Sequence, residues 1–369
     1  MPWAETLGYL VLAAGGAAAS VAAVHLLWRL DGIRRIRRAG PRLLQATRHR
    51  IWREPALGDL ADLRFGPGGP GGAPQPPFQF VTEHFTGSQP CVAVRDAGGR
   101  LWRIKWGHEA RPEAFAVRFA WALGYFAEVT HFVPGGAIEQ AVNLQRARDC
   151  IGHNGIFSDA RFELEDPAVR MYFNEHSWAW DDNPFLGTPQ LNGLKIVNML
   201  LSNWDTKDRR DVSRGSNTAI FEHRVSPWGP PSPRLRRPRR EARYLITDWG
   251  GAMGRWGSNV VSRGRWDAEG FEAQTQGFVT GVTGGFVNFG YQGQRTAEIA
   301  RGITVEDAAW FYGYAGRLTE AALRGGLMAS GATSEEAARF ARTLIDRIQQ
   351  IGRAAGCTTE EPRRTIKAG

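Results

Sequence analysis

Cysteine is scarce in this 369-residue chain: three residues, Cys91, Cys150 and Cys357, with no C-x-x-C pair and an odd total. That excludes a disulfide framework and a cysteine-built zinc site, and it fits a reducing compartment. The eight histidines never stand four apart and no H-E-x-x-H occurs, so zinc-hydrolase chemistry has no residues to run on. Surplus acid is missing too, since the net charge is +9. Two blocks carry that surplus. Arg29 to Arg53 holds nine arginines against Asp31, and Arg224 to Arg243 holds seven against Glu241. The remaining chain is mildly acidic, so the basic balance is regional and specific nucleic-acid binding is not expected. A composition that is 43% apolar, with 14 tryptophans, is ample for a sizeable core.

Long apolar runs are absent but for one. Leu7 to Leu27 carries no Asp, Glu, Lys or Arg, and about 21 residues at helical rise cover a bilayer's hydrocarbon core. Trp3 and Tyr9 flank one end, and Trp28 with the first arginine block flanks the other. The reading is a transmembrane anchor over 1–30, single-pass, with the arginine-rich side and the catalytic domain in the cytoplasm. The alternative is export to the periplasm after cleavage of a signal at Ala17-Ala18-Ala19, against which the n-region lacks positive charge. Residues 31–77 then read as a basic juxtamembrane segment, Arg34–Arg53 contacting anionic lipid or simply fixing topology, followed by a flexible Gly/Pro linker.

From Phe78 the pattern turns to strands. Phe78–Phe85, a turn holding Gly87 and Ser88, Cys91–Arg95, a tight turn at Asp96–Gly99 and Leu101–Trp106 follow in order. Lys105 lies on the last strand, sharing a face with Arg103 and away from Ile104 and Trp106. Taken alone it reads equally as a solvent-facing lysine. Pro112 opens a helix with Glu113 in its first turn, where the helix dipole also favours an acid. His131–Glu139 is a further strand, and residues 142–180 mix charged, turn and short apolar pieces without a clear period.

Pro189–Ser202 is a helix with a broad apolar stripe through Leu191, Leu194, Ile196, Val197, Leu200 and Leu201. It runs into Asn203-Trp204-Asp205-Thr206-Lys207. A strand starts after Asn217, and a second ends in Asp248-Trp249-Gly250. Between these strands lies a basic, proline-rich insertion, 223–243, which composition alone assigns to a surface loop. Thr304–Leu323 and Ser334–Ala355 read as amphipathic helices, and the tail 358–369 as loose.

These motifs resemble the kinase-like superfamily. NWDTK is similar to its catalytic loop, SNTAIF to the segment where a metal-binding asparagine precedes a strand, and YLITDWGGAMG to the strand and its D-F-G. The resemblance implies an α+β, two-lobed kinase-like fold, with a β-rich small lobe over 78–140 and a larger helical lobe over 141–357. It implies ATP and Mg2+ as cofactors. Asp205 would be the base and Lys207 would balance charge at the transferred phosphate. Asn217 and Asp248 would hold metal, Gly87 and Ser88 would cover phosphates, and Lys105 would contact them.

Glu113 would orient Lys105, with Glu109 as runner-up. One glycine stands in the phosphate loop where G-x-G-x-x-G has three, and Arg210 stands five past Asp205 where the asparagine is usual. Asn217 lies twelve past it, and Asp208 and Asp211 are the alternatives for the metal. In sparse glycines and loop insertions the chain is similar to HipA-like, lipid-type and secretory-pathway kinases, and to bacterial kinase-like proteins with an N-terminal anchor or signal. The implied activity is phosphotransfer from ATP to an acceptor the sequence does not name. The alternatives are a pseudokinase or membrane scaffold, and a basic surface adaptor.

Overall fold

A computed structural model of the chain describes residues 48–85, 87, 89–166, 169–171, 177–225 and 239–357. The apolar run at 7–27, Ser88, most of the insertion and the tail lie outside these residues. Among the described residues no helix is long and apolar enough to cross a membrane.

The chain builds a mixed α/β structure. β1 (Arg48–Arg50) and a short helix α1 (Leu57–Ala61) come first. β2 (Phe78–His84), β3 (Cys91–Arg95) and β4 (Leu101–Lys105) then form a meander, followed by helix α2 (Ala110–Ala122), β5 (Thr130–Glu139) and β6 (Ile156–Leu164). These five strands close into a barrel in the order β2-β3-β4-β6-β5. Period-two alternation fills it: Val92, Val94, Trp102, Ile104 and Phe162 are all buried in its interior. Arg103 and Lys105 therefore project outward from β4. The small lobe thus extends to Leu164 rather than ending at residue 140, because β6 pairs with both β4 and β5.

Helix α2 packs outside the barrel, and its Phe115 and Phe119 join the core of the second lobe. That lobe holds β7 (Val169–Met171), α3 (Pro189–Leu200), β8 (Thr218–Val225) and β9 (Arg239–Ile246). It continues through α4 (Ala268–Ala273), the hairpin β10 (Val279–Thr283) and β11 (Phe286–Phe289), and α5 (Thr296–Ile299). The chain closes with α6 (Val305–Ala315), α7 (Glu320–Met328) and α8 (Ser334–Ala354).

Thr188 caps α3 by accepting from the Leu191 amide at 3.3 Å, and Pro189 occupies its first turn. Its leucines, Ile196 and Val197 are buried as the stripe requires, each contributing roughly 1.5–3 kcal/mol of hydrophobic stabilisation. The helix expected over 304–323 is two, broken between Ala315 and Glu320. Thr333 and Glu336 form a capping box at the start of α8.

Two expectations are corrected. Residues 48–77 are not a free linker. β1 pairs in parallel with β9, Trp52 Nε1 donates to the Leu123 carbonyl at 2.8 Å, and Ile51, Leu60 and Leu63 sink into the main core. Glycine there permits close turns rather than slack: a Cβ on Gly72 would come within 2.5 Å of the Gly68 backbone. The insertion is also shorter than 223–243, since β8 and β9 pair as far as Val225 and Arg239.

Candidate functional site

The β8–β9 ladder is the platform. Thr218 pairs with Ile246, and the Thr247 amide donates to the Asn217 carbonyl at 2.9 Å. Asn217 and Asp248 thereby emerge side by side at one end of the ladder. The loop after α3 is tied to the same end. Asn217 Nδ2 donates to the Asp205 carbonyl at 2.6 Å, and the Asn217 amide donates to the Lys207 carbonyl at 3.1 Å. The twelve-residue spacing from Asp205 is absorbed by a short 3-10 turn over Arg209–Arg214, capped by Asp208. Asn217 is buried, its side-chain N–H engaged and its amide oxygen left as the acceptor.

Asp205 is 9% exposed. Its Oδ2 lies 3.4 Å from Lys207 Nζ, while Oδ1 is buried without a hydrogen-bond partner among the described residues. Burial raises its carboxyl pKa above the ordinary value. Lys207 and the Asn217 side-chain amide oppose that shift and the Asp248 carboxylate adds to it. Half-buried Asp248 accepts the Gly250 amide on Oδ1 at 2.9 Å. The two glycines after Trp249 let this turn close on both lobes. A Cβ on Gly250 would meet Glu109 Cγ at 2.7 Å, and one on Gly251 would meet Asp205 Cβ at 3.0 Å. A larger residue at Gly250 would have to move the Glu109 side chain, and one at Gly251 would press on Asn203 and Asp205.

Above this corner the barrel presents Lys105 and the turn after β2. Cys91 pairs across from Lys105, so that turn opens beside the lysine, and Gly87 adopts φ +90° there. The Gly87 carbonyl accepts from Arg146 Nη2 at 2.9 Å. Glu113, expected to orient Lys105, does not do so. Its carboxylate is taken by Arg161, which stands opposite Lys105 in the β4–β6 register. Arg161 also reaches Glu163 at 3.0 Å, Glu163 reaches Arg103 at 2.9 Å, and Arg103 reaches Glu165 at 3.2 Å, so one network of alternating charges fills the space under α2. Despite burial, Arg103 and Arg161 hold the Glu163 carboxyl well below its ordinary range.

The acid facing the corner is Glu109, one residue before α2. Burial first, then Asp248, raises its pKa, with Arg265, Arg161 and Lys105 opposing. It lies 3.4 Å from Arg265.

Asp208 and Asp211, the alternatives for a metal, are committed elsewhere. Asp208 receives Arg210 Nε at 3.0 Å and the Arg210 amide at 3.0 Å. Asp211 receives Arg214 and Arg295. Arg210 pairs with Asp181 and Glu298 as well, which directs it away from Asp248. Among the described residues no group of three or more His, Cys, Asp or Glu could hold a metal. Asn217 and Asp248 offer two hard oxygens, a set that suits magnesium completed by water and phosphate oxygens rather than zinc or calcium.

A cavity of about 460 Å³ lies between the two lobes. Phe221 and Leu245 line its floor, Leu101, Arg103 and Leu164 its roof, and Phe126 to Val129 its back. Phe221 lies on the strand that begins at Asn217, and Leu245 on the strand that leads to Asp248. Glu128 in its wall has a carboxyl raised by burial and by Glu163.

Sequence reasoning missed Arg347. It is fully buried, sends Nη1 to the Leu200 carbonyl (2.9 Å) and Ser202 Oγ (2.8 Å), and sends Nη2 to the Phe271 carbonyl at 2.6 Å. This guanidinium fixes the point where α3 gives way to the Asp205 loop, at Ser202 with φ +55°. Its only sequence signal is a charged residue on the apolar stripe of α8.

No family model and no curated protein matches the chain. Among solved structures, the chain is similar to that titled "Crystal structure of A Helicobacter pylori proinflammatory kinase CtkA", with 10% identity and a TM-score of 0.38. The match covers 77% of this chain and 96% of that one. A likeness at that level carries no weight beside the residues themselves.

Proposed function

We propose that the chain is an ATP- and magnesium-dependent phosphotransferase of an atypical kinase-like kind. One observation carries the reading: the Asp205 loop, Asn217 and Asp248 converge at one end of the β8–β9 ladder. Phosphoryl transfer asks little covalent chemistry of a protein, and much positioning and charge neutralisation. The residues divide that work. Asp205 Oδ1, desolvated and without a partner, accepts the proton of an acceptor hydroxyl, and its raised pKa makes it a stronger base than an exposed carboxylate.

Lys207 holds the other oxygen and brings a positive charge to the transferred group. Asn217 and Asp248 would hold magnesium, which neutralises phosphate oxygens when bound. Lys105 and the turn at Gly87 and Ser88 would contact the phosphates, and Glu109 takes the orienting role over from Glu113. A planar base would rest on Phe221 and Leu245. The tether through 7–27 and cytoplasmic placement remain part of the proposal.

Calorimetric titration of Mg·ATP into the full chain tests it. Asp248→Ala is expected to weaken binding by on the order of tenfold or more, and unchanged binding overturns the assignment. The commitment of Glu113 to Arg161 favours a second reading, a nucleotide-binding scaffold. Nucleotide binding without any radiolabel transfer, autophosphorylation included, would select it.

A further inference from the structure

The carbonyls of the Asp205 loop are held by donors that come from far along the chain. On one side, Asn217 holds those of Asp205 and Lys207. On the other runs the segment 291–295, which joins β11 to α5. Tyr291 Oη donates to the Asn203 carbonyl at 2.5 Å, the Gln294 amide donates to the Trp204 carbonyl at 3.1 Å, and the Arg295 amide donates to Thr206 Oγ1 at 3.1 Å. The Arg295 side chain reaches on to Asp208 and Asp211. The segment lies along the loop as a strap.

Tyr291 is buried at its head. Asn198, fully buried on α3, sends Nδ2 to the Asn203 carbonyl at 3.0 Å and to Tyr291 Oη at 3.4 Å, and its Oδ1 accepts from Asn203 Nδ2 at 3.1 Å. Thr206 is a further partner of the phenol, so one hydroxyl engages the loop both before and after Asp205. The approach is close. A Cβ on Gly293 would lie 2.2 Å from Tyr291 Oη and 3.1 Å from the Trp204 carbonyl oxygen. The Gln292 carbonyl accepts the Gly257 amide at 3.1 Å, which fastens the same strap to the segment that follows Asp248.

We propose that Tyr291 is a positioning residue for the base: it holds the loop from Asn203 to Thr206 so that Asp205 keeps one orientation and its Oδ1 stays out of water. Its effect on the reaction rests on the phosphotransferase reading. A loop that starts at Ser202 with φ +55° and makes no regular ladder depends on outside donors for its geometry. Catalysis is sensitive to that geometry, since a misplacement of about 1 Å can cost about 10²-fold. A slackened loop also admits water to the carboxylate, and hydration removes part of the burial that raises its pKa. The charged groups that act on Asp205 are Lys207 on its own loop and Asp248 after β9, with the neutral Asn217 amide and the Tyr291 phenol beside them. Removing the phenol's hydroxyl leaves the other three in place.

The test compares variants of the full chain. Tyr291→Phe removes the hydroxyl alone, and Gly293→Ala pushes the strap off the loop with the phenol intact. Tyr125→Phe is the control: this buried hydroxyl donates to the Gln190 carbonyl at 3.0 Å, at the opposite end of α3 from the Asp205 loop. The readout is the carboxyl NMR titration of Asp205 in aspartate-labelled protein, assigned by the signal that Asp205→Asn lacks. It is expected to move to lower pH in Tyr291→Phe and Gly293→Ala, and to stay as in the parent in Tyr125→Phe. A titration that neither strap variant moves overturns the assignment, as does one that the control moves equally.

Radiolabel transfer from ATP is expected to fall by about tenfold to 10²-fold in both strap variants, with the acid limb of its pH profile moved to lower pH. Calorimetric Mg·ATP affinity is expected to stay as in the parent, because the strap holds the base loop rather than Asn217 or Asp248. A fall in affinity equal to the fall in transfer overturns the positioning role, since it would make Tyr291 a support of the site as a whole. If the parent neither binds Mg·ATP nor transfers label, the phosphotransferase reading fails, while the carboxyl titration still decides whether Tyr291 holds Asp205.

Discussion

Asp205 and Asp208 stand on one loop, both are buried, and their surroundings differ in kind. Asp208 is saturated: it caps the 3-10 turn, binds Arg210 through both oxygens, and has Arg295 at 3.8 Å. Asp205 has one lysine at 3.4 Å, the Asn217 amide holding its pKa down, a like charge nearby in Asp248, and an oxygen outside hydrogen-bond geometry. A carboxylate surrounded by donors stabilises the fold. One kept short of them costs the fold and keeps its basicity for a reaction. The same contrast separates the Glu113–Arg161–Glu163 network from Glu109 at the start of the same helix.

The largest expected effect is at Asp205. Asp205→Asn is expected to lower phosphotransfer by about 10²–10⁴-fold, measured as radiolabel transfer by purified protein. Its thermal stability at pH 7 is expected to equal or exceed the parent's. The sign follows from the raised pKa. The folded state holds this proton more tightly, so its favourable contribution is full below the unfolded value of 3.8 and lost as pH rises through the folded one. At neutral pH the charged group destabilises, and asparagine removes that cost, with the difference shrinking towards acid pH. A variant that melts below the parent at pH 7 would place Asp205 with Asp208 and break the comparison.

Next is Asp208→Ala, expected to cost about 1–2 kcal/mol in a denaturant titration, because the 3-10 turn loses its capping carboxylate, while Arg210 keeps Asp181 and Glu298 and Arg295 keeps Asp211. Transfer per folded molecule is expected to change only severalfold. The smallest effect is expected from Lys207→Met. Lys207 holds the Asp205 pKa down, so its loss should move the acid limb of the pH–rate profile to higher pH. An unmoved limb would mean that Asp205 is not the titrating base.

Much of the fold was legible where the signal is local. The stripe of α3 with Thr188 and Pro189, the strand-turn-strand run from Phe78 to Lys105, and the capped start of α8 each depend on neighbours within a few residues. Strand β6 was not legible, because its alternation is embedded in charged residues that pair across the sheet: Arg161 and Glu163 look solvent-facing until Glu113 and Arg103 are brought to them. The stretch at 55–77 misled for a related reason. Glycine and proline signal turns, and the sequence does not say whether a turn is packed.

The residue types of the candidate site are set by the sequence itself: two aspartates, an asparagine and a lysine at the ends of regular elements, with glycines after Asp248 small enough to let lobes meet. What tertiary structure decided is which of several equivalent carboxylates is left without partners. Asp205, Asp208 and Asp211 are alike in local pattern. Arg295 reaches Asp208 and Asp211 from far along the chain, and Asn217 reaches the backbone of Asp205 through the β8–β9 register. A carboxylate's charge state and availability are properties of its solvation and counter-charges. Those are assembled by contacts distant in sequence, and no local pattern encodes them.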